Sequence, residues 1–145
     1  MAKLLNIGCG NKKIDGFINT DKEMDISKPW PHEDDSVDGI VSMQVLQQLY
    51  WRDLMVALKE SYRVLKKGGV MRFGTMLIEH NTAEQCLGWK NINLFSLDLL
   101  KRVLEDVGFG LVRIAEYQDS DLEILATADN RPFNKGTSYL ECTKL

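Results

Sequence analysis

The chain has 145 residues, the usual size of a single domain, and 44% of them are hydrophobic, so we expect one domain with one core. Its formal net charge of -3 argues against a nucleic-acid-binding protein, because such proteins usually present a basic face. Three cysteines without a Cys-x-x-Cys pair and only two histidines make a disulfide framework or a zinc site unexpected.

No apolar stretch approaches the roughly 18 residues that a membrane span requires. The opening residues lead directly into a strand pattern rather than a signal peptide. We therefore expect a cytoplasmic protein that does not interact with membranes.

Short apolar runs separated by turns fill the first part of the chain. Residues 3–7 predict a buried strand that ends in a glycine turn at 8–10. Residues 17–20 predict a second strand, and residues 24–26 a third, very short one. Residues 37–43 predict the next strand.

The middle of the chain predicts a helix from Trp51 to Lys66, followed by a strand over residues 70–77. Gly68 and Gly69 end the helix. Residues 79–95 lack a clear period and predict a long loop. The helix carries one apolar stripe at spacings of three and four residues: Trp51, Met55, Leu58, Tyr62 and Leu65.

A second helix is predicted after Ser96, which is a suitable N-cap, and it ends at Gly108. Strands follow over residues 111–117 and 138–143. Because no helix pattern separates these two strands, we expect them to be antiparallel neighbours. The alternation of strands and helices in the middle of the chain predicts an α/β fold with a mostly parallel sheet. The helix predicted after Ser96 presents one apolar face: Leu97, Leu100, Leu104 and Val107.

The glycine turn Gly8-Cys9-Gly10 and two acids follow successive predicted strands. Glycine lets a ligand approach the backbone closely. Asp21 ends the second predicted strand and could accept hydrogen bonds from ribose hydroxyls, whereas Asp25 ends the third and could accept one from an adenine amino group. This arrangement is typical of nucleoside binding.

The link between the first two strands distinguishes between nucleoside cofactors. Residues 11–16 are too few for a crossover helix, whose N-terminus would hold the pyrophosphate of a dinucleotide. S-adenosylmethionine has no phosphate and does not need that helix, so the sequence favours it over NAD. The same short link leaves open whether the first two strands are parallel or form a hairpin.

Five motifs in this order resemble those of class I S-adenosylmethionine-dependent methyltransferases, and especially a small bacterial group similar to methyltransferase type 11. The resemblance covers roughly residues 4–78. The motifs are Leu-Leu-Asn-Ile-Gly-Cys-Gly-Asn (4–11), Gly-Phe-Ile-Asn-Thr-Asp (16–21), Asp-Ile-Ser-Lys-Pro-Trp-Pro (25–31), Asp-Asp-Ser-Val-Asp-Gly-Ile (34–40) and Tyr-Arg-Val-Leu-Lys-Lys-Gly-Gly (62–69).

The resemblance implies a Rossmann-like three-layer sandwich of the seven-stranded type, with the last strand antiparallel and the N-terminal crossovers shortened. It places the glycine turn under the methionine part of the cofactor, Asp21 at the ribose, Asp25 near the adenine, and Gln44 beside the sulfonium and the substrate. The cofactor-binding residues that it implies are Asn6, Gly8, Cys9, Gly10, Asp21, Asp25, Ile26 and Gln44.

Two departures from the family pattern are visible. Asn6 stands where the broad superfamily usually has an acid, although the small group commonly has asparagine. Gln44, Gln47 and Gln48 stand where relatives often carry His-x-x-Glu-His, so no ionisable group is left in that segment.

Candidates for contact with the acceptor follow the fourth and fifth predicted strands. Tyr50 and Trp51 begin the helix near the expected methyl position, although Trp51 also fits the apolar stripe, so core packing is the preferred interpretation. His80 is the only candidate for a general base in its loop, although a surface histidine is the preferred interpretation. Trp30 and Trp89 could cover the cofactor or the substrate, or could simply pack their loops.

Three hypotheses for the function remain. The first is methyl transfer to a small-molecule or glycan acceptor, by a monomer or a homodimer. The second is a non-catalytic protein of the same fold that serves as a binding or partner subunit. The third, an NAD-dependent oxidoreductase, lacks the third glycine of the dinucleotide motif.

Overall fold

The computed structural model describes residues 1–9, 12–21, 24–88, 93–129 and 137–145. The described residues form a six-stranded sheet in the order β2-β1-β3-β4-β6-β5, in which β6 is antiparallel to both of its neighbours and the other pairs are parallel. The strands are β1 (Leu4–Ile7), β2 (Ile18–Thr20), β3 (Val37–Met43), β4 (Leu65–Thr75), β5 (Gly110–Ala115) and β6 (Ser138–Thr143).

In the part of the chain that the structure describes, three α-helices and three short 3-10 turns connect the strands. The helices are α1 (Trp51–Val64), α2 (Ala83–Gly88) and α3 (Leu97–Val107), and the 3-10 turns cover residues 46–48, 78–80 and 123–128. The hydroxyl of Ser96 accepts a hydrogen bond from the amide of Leu99 at 3.1 Å, and so satisfies one of the free donors at the start of α3. Gly108 ends α3 at a φ of 127°, a conformation that favours glycine.

The main core lies between the sheet and helices α1 and α3. Fully buried side chains from the strands meet those of the helices there, including Ile40, Phe73, Leu58, Leu100 and Leu104. Burial of apolar side chains is the dominant stabilising term for such a layer.

The opposite face of the sheet is covered differently. A smaller cluster contains Leu4, Val41 and Val70 from the strands, and Leu125 and Ala128 from the 3-10 turn at residues 123–128. Irregular chain between β5 and β6 therefore covers this face, where the described residues provide no long helix.

Arg72, at the centre of β4, attaches this irregular segment to the sheet. All five guanidinium N–H groups have acceptors: both carboxylate oxygens of Asp129 (2.8 and 2.5 Å), one oxygen of Glu141 (2.9 Å), and the carbonyls of Glu116 (2.8 Å) and Asp119 (2.6 Å). The three charged side chains have between 0% and 1% of their surface exposed. Although burial works to lower the pKa of Arg72, the hydrogen bonds to Asp129 and Glu141 raise it overall, so Arg72 stays charged.

The predicted α/β class with a mostly parallel sheet is confirmed. The bounds of the strands at residues 37–43 and 138–143 are those predicted, and β5 and β6 are antiparallel neighbours as expected. β1 and β2 are parallel, which excludes the hairpin that the short link had left open.

Several local predictions were wrong. Residues 24–26 form a turn rather than a third strand, because the carboxylate of Asp25 accepts hydrogen bonds from both the amide and the hydroxyl of Ser27. Helix α1 ends at Val64 instead of Lys66, and the adjoining strand is longer than predicted because it begins at Leu65. The predicted loop at residues 79–95 contains α2, and the strand predicted at 111–117 covers Gly110–Ala115.

The apolar stripe of α1 was also wrong at its N-terminal end. Trp51 is 64% exposed, so it does not pack in the core. The buried side of the helix instead consists of Leu54, Ala57, Leu58, Ser61 and Val64.

We predict that Arg72→Met destabilises the protein by about 3–5 kcal/mol, because it leaves two buried carboxylates without their partner. Urea denaturation measures this loss. Arg113→Met is the matched control, because Arg113 is 34% exposed and pairs with the exposed Asp121. The buried Glu141, its second partner, keeps the hydrogen bonds from Arg72 and from the amide of Asp121, so the loss of Arg113 should cost no more than about 1 kcal/mol. Equal losses in the two variants would contradict the central role of Arg72.

Candidate functional site

Two adjoining cavities open at the carboxyl ends of β1 and β3. Because β1 lies between β2 and β3, the direction of the strand order reverses here, and α/β sheets bind their ligands at such points. Gly8, Met43 and Gln44 line both cavities. We call the cavity lined by Asp21 and Asp25 the acidic cavity, and the one lined by Lys12 and Lys13 the lysine cavity. Their volumes are about 630 Å³ and about 460 Å³, and both fall in the range that is typical of small-molecule sites.

The acidic cavity combines two carboxylates with apolar side chains. Its described lining is Gly8, Asp21, Met24, Asp25, Ile26, Met43, Gln44, Val45, Gln48 and Leu49. Asp21 is exposed just after β2, and the described residues give it no ion-pair partner. Oδ1 of Asp25 accepts hydrogen bonds from the hydroxyl (2.6 Å) and the amide (3.0 Å) of Ser27, and these bonds hold the pKa of Asp25 below its usual value.

The lysine cavity lies on the other side of Gly8 and Gln44. Its described lining is Asn6, Gly8, Cys9, Lys12, Lys13, Ile14, Met43, Gln44, Thr127, Ala128 and Asp129. One wall is therefore the link between β1 and β2, and another is the end of the segment that Arg72 holds against the sheet.

Gly8 must be glycine for two separate reasons. Its φ of 66° lies in the left-handed region that side chains disfavour. In addition, a Cβ atom at this position would lie 2.7 Å from a methyl carbon of Val45. The backbone of the glycine turn therefore packs directly against the segment that follows β3.

A buried amide pair holds the short link between β1 and β2. Nδ2 of Asn6 donates to the carbonyl of Lys12 at 3.0 Å and to Oδ1 of Asn19 at 2.9 Å. Asn19 in turn bonds the amide and the carbonyl of Ile14, at 2.9 and 3.0 Å. Asn6 acts as a donor in these contacts, which an aspartate could not do, and this explains asparagine at this position in a link without a helix.

The three glutamines after β3 form a neutral hydrogen-bonded group. Nε2 of Gln47 donates to Oε1 of Gln44 at 2.5 Å, and Nε2 of Gln44 donates to the hydroxyl of Thr137 at 2.7 Å. The hydroxyl of Thr75 donates to Oε1 of Gln47, and Gln48 donates to the carbonyl of Gln44. Gln44 is thus fixed between the two cavities, with its backbone at a φ of 60°.

The structure brings most of the sequence-predicted cofactor residues to these cavities: Asn6, Gly8, Cys9, Asp21, Asp25, Ile26 and Gln44. Gly10 and Trp89 both lie outside the described residues.

The predicted acceptor residues lie elsewhere. His80, Tyr50 and Trp51 are exposed and line neither cavity. Nδ1 of His80 is 2.8 Å from the hydroxyl of Ser138. Trp30 is buried, and its indole nitrogen donates to the carbonyl of Ile26 at 3.1 Å, so it packs its own loop.

Sequence reasoning missed the residues that form the lysine cavity with the glycine turn. Lys12 and Lys13 are a pair too short to indicate a basic patch, and residues 127–129 lie in a segment without a hydrophobic period. The signal that could have identified residues 127–129 is the charge of Arg72 in the middle of an apolar strand, which requires an acid from elsewhere.

In the part of the chain that the structure describes, no group of three or more His, Cys, Asp or Glu residues could hold a metal ion. None of the helices in that part is long and apolar enough to cross a membrane.

We predict that Asn6→Asp destabilises the protein, because a carboxylate would face two oxygens that now receive hydrogen bonds. The expected cost is roughly 1–3 kcal/mol for each oxygen left without a donor. Thermal or urea unfolding measures it. Gln48→Glu is the control, since it also replaces a donating amide by a carboxylate but at an exposed position, and it should cost far less. A stable Asn6→Asp protein would refute this role of the amide.

Comparison with known proteins agrees with the fold. A family model described as a methyltransferase domain matches residues 9–73. No curated protein sequence matches the chain.

Solved structures match over nearly the whole chain. A SAM-dependent methyltransferase from Archaeoglobus fulgidus is similar with a TM-score of 0.70 and 15% identity, over 99% of this chain and 86% of that one. A SAM-dependent methyltransferase from Thermotoga maritima, described as a possible histamine N-methyltransferase, gives 0.66 and 20%, over 100% and 83%. A chain from the Haloferax volcanii complex of the Trm112 methyltransferase activator with a methyltransferase gives 0.67 and 18%, over 99% and 82%.

The TM-scores establish the architecture of the chain, whereas the acceptors and partners of these proteins are their own. The resemblance that the five sequence motifs indicated is confirmed: this chain has the Rossmann-like fold of the solved S-adenosylmethionine-dependent methyltransferases, and the methyltransferase-domain model matches its residues 9–73.

Proposed function

We propose that the protein transfers a methyl group from S-adenosylmethionine to a small-molecule or glycan acceptor. The observation that carries this proposal is the acidic cavity itself. Gly8 comes from the link after β1, and Asp21 and Asp25 come from the link after β2; the parallel sheet brings these two links together at one opening.

The chemistry of the acidic cavity fits the adenosyl group. Asp21 has no ion-pair partner in the described residues and can accept hydrogen bonds from two ribose hydroxyls. Within the described residues, Oδ2 of Asp25 has a distant ion pair with Lys28 (3.8 Å), so it can accept a hydrogen bond from the adenine amino group. Ile26, Val45 and Leu49 supply apolar surface for the ring.

Net charge supports the same assignment. Among the described residues that line the acidic cavity, both ionisable side chains are carboxylates, and the hydrogen bonds from Ser27 keep Asp25 ionised. A negative cavity suits a cofactor that carries a sulfonium cation and several hydrogen-bond donors. It disfavours the pyrophosphate of NAD, and the described part of the β1–β2 link has no helix whose N-terminus could offset that repulsion.

When bound, the cofactor supplies a methyl group already activated by the positive sulfur. The protein then has to hold the acceptor in line with that methyl group, and such positioning can contribute roughly 7–11 kcal/mol. The hydrogen-bonded glutamines would provide a fixed, neutral wall at the end of β3. Their amides cannot act as general bases, so we propose an acceptor that is nucleophilic without a base at this wall, such as an amine.

A second candidate function is supported by the same glutamines. A non-catalytic protein of this fold would also lack ionisable groups after β3, and it would act as a binding or partner subunit. Binding of the cofactor separates this candidate from the first, because a subunit without chemistry has no need of an intact nucleoside site.

We expect S-adenosylhomocysteine to bind the wild-type protein in the micromolar range in a calorimetric titration. Asp21→Ala should weaken this binding by roughly tenfold or more, since a hydrogen bond to a charged group contributes about 1.5–3 kcal/mol. Asp15→Ala is the matched control: it removes the same charge from an exposed position that lines neither cavity. Absence of binding to wild type at millimolar concentration would refute the proposed function and favour the partner subunit.

A further inference from the structure

The lysine cavity is large enough to hold a second molecule. With a volume of about 460 Å³, it adds to the 630 Å³ of the acidic cavity and meets it at Gly8, Met43 and Gln44. Each volume alone lies in the range of roughly 300–1,000 Å³ that is typical of small-molecule sites. A group held in the lysine cavity would therefore lie next to whatever occupies the acidic one, separated from it by no more than the side chains of the shared wall.

The charges of the two cavities are opposite. Lys12 and Lys13 line the lysine cavity, and the described residues contain no salt bridge to either of them. The one carboxylate in this lining belongs to Asp129, and its two oxygens are already bonded to Arg72. The uncompensated charge that faces the cavity is thus positive.

Hydrogen bonds from the side chains of Asn6 and Asn19 fix the backbone that carries the two lysines. The carbonyl of Lys12 accepts a hydrogen bond from the buried side chain of Asn6, and its amide donates to the carbonyl of Cys9 at 2.9 Å. Ile14, the next residue after Lys13, is bonded on both its amide and its carbonyl by Asn19. An anchored backbone lowers the entropy cost of using these lysines for binding.

We infer that the lysine cavity binds the acceptor and that the acceptor carries a carboxylate or phosphate group, which Lys12 and Lys13 hold. This inference rests on the proposed methyl transfer. It assigns the two cavities different tasks: the acidic one selects a cationic nucleoside, and the lysine cavity selects an anionic partner for it. Gln44, which lines both, would lie between the two ligands.

The test uses inorganic phosphate as the probe, added to the protein saturated with S-adenosylhomocysteine at constant ionic strength. Amide chemical shifts followed by NMR should change around residues 12–14 and 127–129, with a dissociation constant in the millimolar range. The double variant Lys12→Gln/Lys13→Gln should weaken phosphate binding by roughly tenfold or more, since both charge-assisted contacts are lost. The control Lys59→Gln/Lys101→Gln removes two exposed lysines from α1 and α3 and should leave it unchanged.

A second pair of titrations separates the acceptor from the cofactor as the source of the anionic group. 5′-Methylthioadenosine shares the nucleoside and sulfur of S-adenosylhomocysteine but has no amino-acid carboxylate. If the lysine variant binds both compounds as wild type does, the lysines serve the acceptor as inferred. If it loses affinity for S-adenosylhomocysteine alone, they hold the carboxylate of the cofactor, and the inference is overturned while methyl transfer stands.

Two further results are decisive. Unchanged phosphate binding in Lys12→Gln/Lys13→Gln, or no phosphate binding to wild type, would overturn the inference while leaving the cofactor site intact. Failure of wild type to bind S-adenosylhomocysteine would refute the proposed function, and the inference with it.

Discussion

The buried charge of Arg72 is the constraint on which the rest of this structure depends. A guanidinium at the centre of a six-stranded sheet cannot be left unpaired, because its removal from water costs several kcal/mol. Asp129 and Glu141 supply the opposite charges, and two backbone carbonyls complete the set of acceptors. Since Asp129 and those carbonyls belong to the segment between β5 and β6, satisfying Arg72 fixes the path of that segment over the sheet.

This ion network replaces what a helix would normally provide on the second face. The apolar cluster there is small, and Leu125 and Ala128 enter it from a 3-10 turn of six residues. Such a cluster gains less from burial than the layer under α1 and α3. A buried ion network adds little net stability compared with apolar packing, but it allows few alternative arrangements. We therefore infer that Arg72 mainly selects one arrangement of the chain on this face. Through its bonds to Asp129 it also fixes residues 127–129, which shape the lysine cavity.

The sequence predicted the elements that have a strong local pattern and missed those set by distant contacts. The strands at residues 37–43 and 138–143 had the predicted bounds because each contains a short group of apolar residues and is preceded by polar or glycine-containing turn sequence. The predicted apolar stripe of α1 is shifted by one residue from the side of the helix that is buried. Leu58 belongs to both sides, and the large apolar side chain of Trp51 favoured the exposed side. The turn at residues 24–26 was missed because its cause is a local side-chain contact, in which the amide and the hydroxyl of Ser27 donate to the carboxylate of Asp25.

The candidate site also combines features that a local sequence pattern predicts with features that depend on distant contacts. The acids and the glycine turn could be placed from the sequence because parallel strands deliver their carboxyl ends to one edge whatever the links contain. The lysine cavity could not be predicted, since one of its walls is brought there by a contact between residues 72 and 129, which are 57 positions apart. No local pattern reports a contact of that separation.

One departure from the usual family pattern, the asparagine at position 6, follows from the shortened link between β1 and β2. Without a crossover helix, the link is held by Asn6, which must donate to the carbonyl of Lys12, so the acid common at this position would be unsuitable. The face left without that helix is covered instead by the segment that Arg72 anchors, and Asp129 closes the cavity beside the two lysines. The short link thus both exposes Lys12 and Lys13 beside the glycine turn and creates the opposing wall. A longer link with a helix would cover the face on which this cavity opens, so we regard the second cavity as a consequence of the shortening rather than a separate addition to the fold.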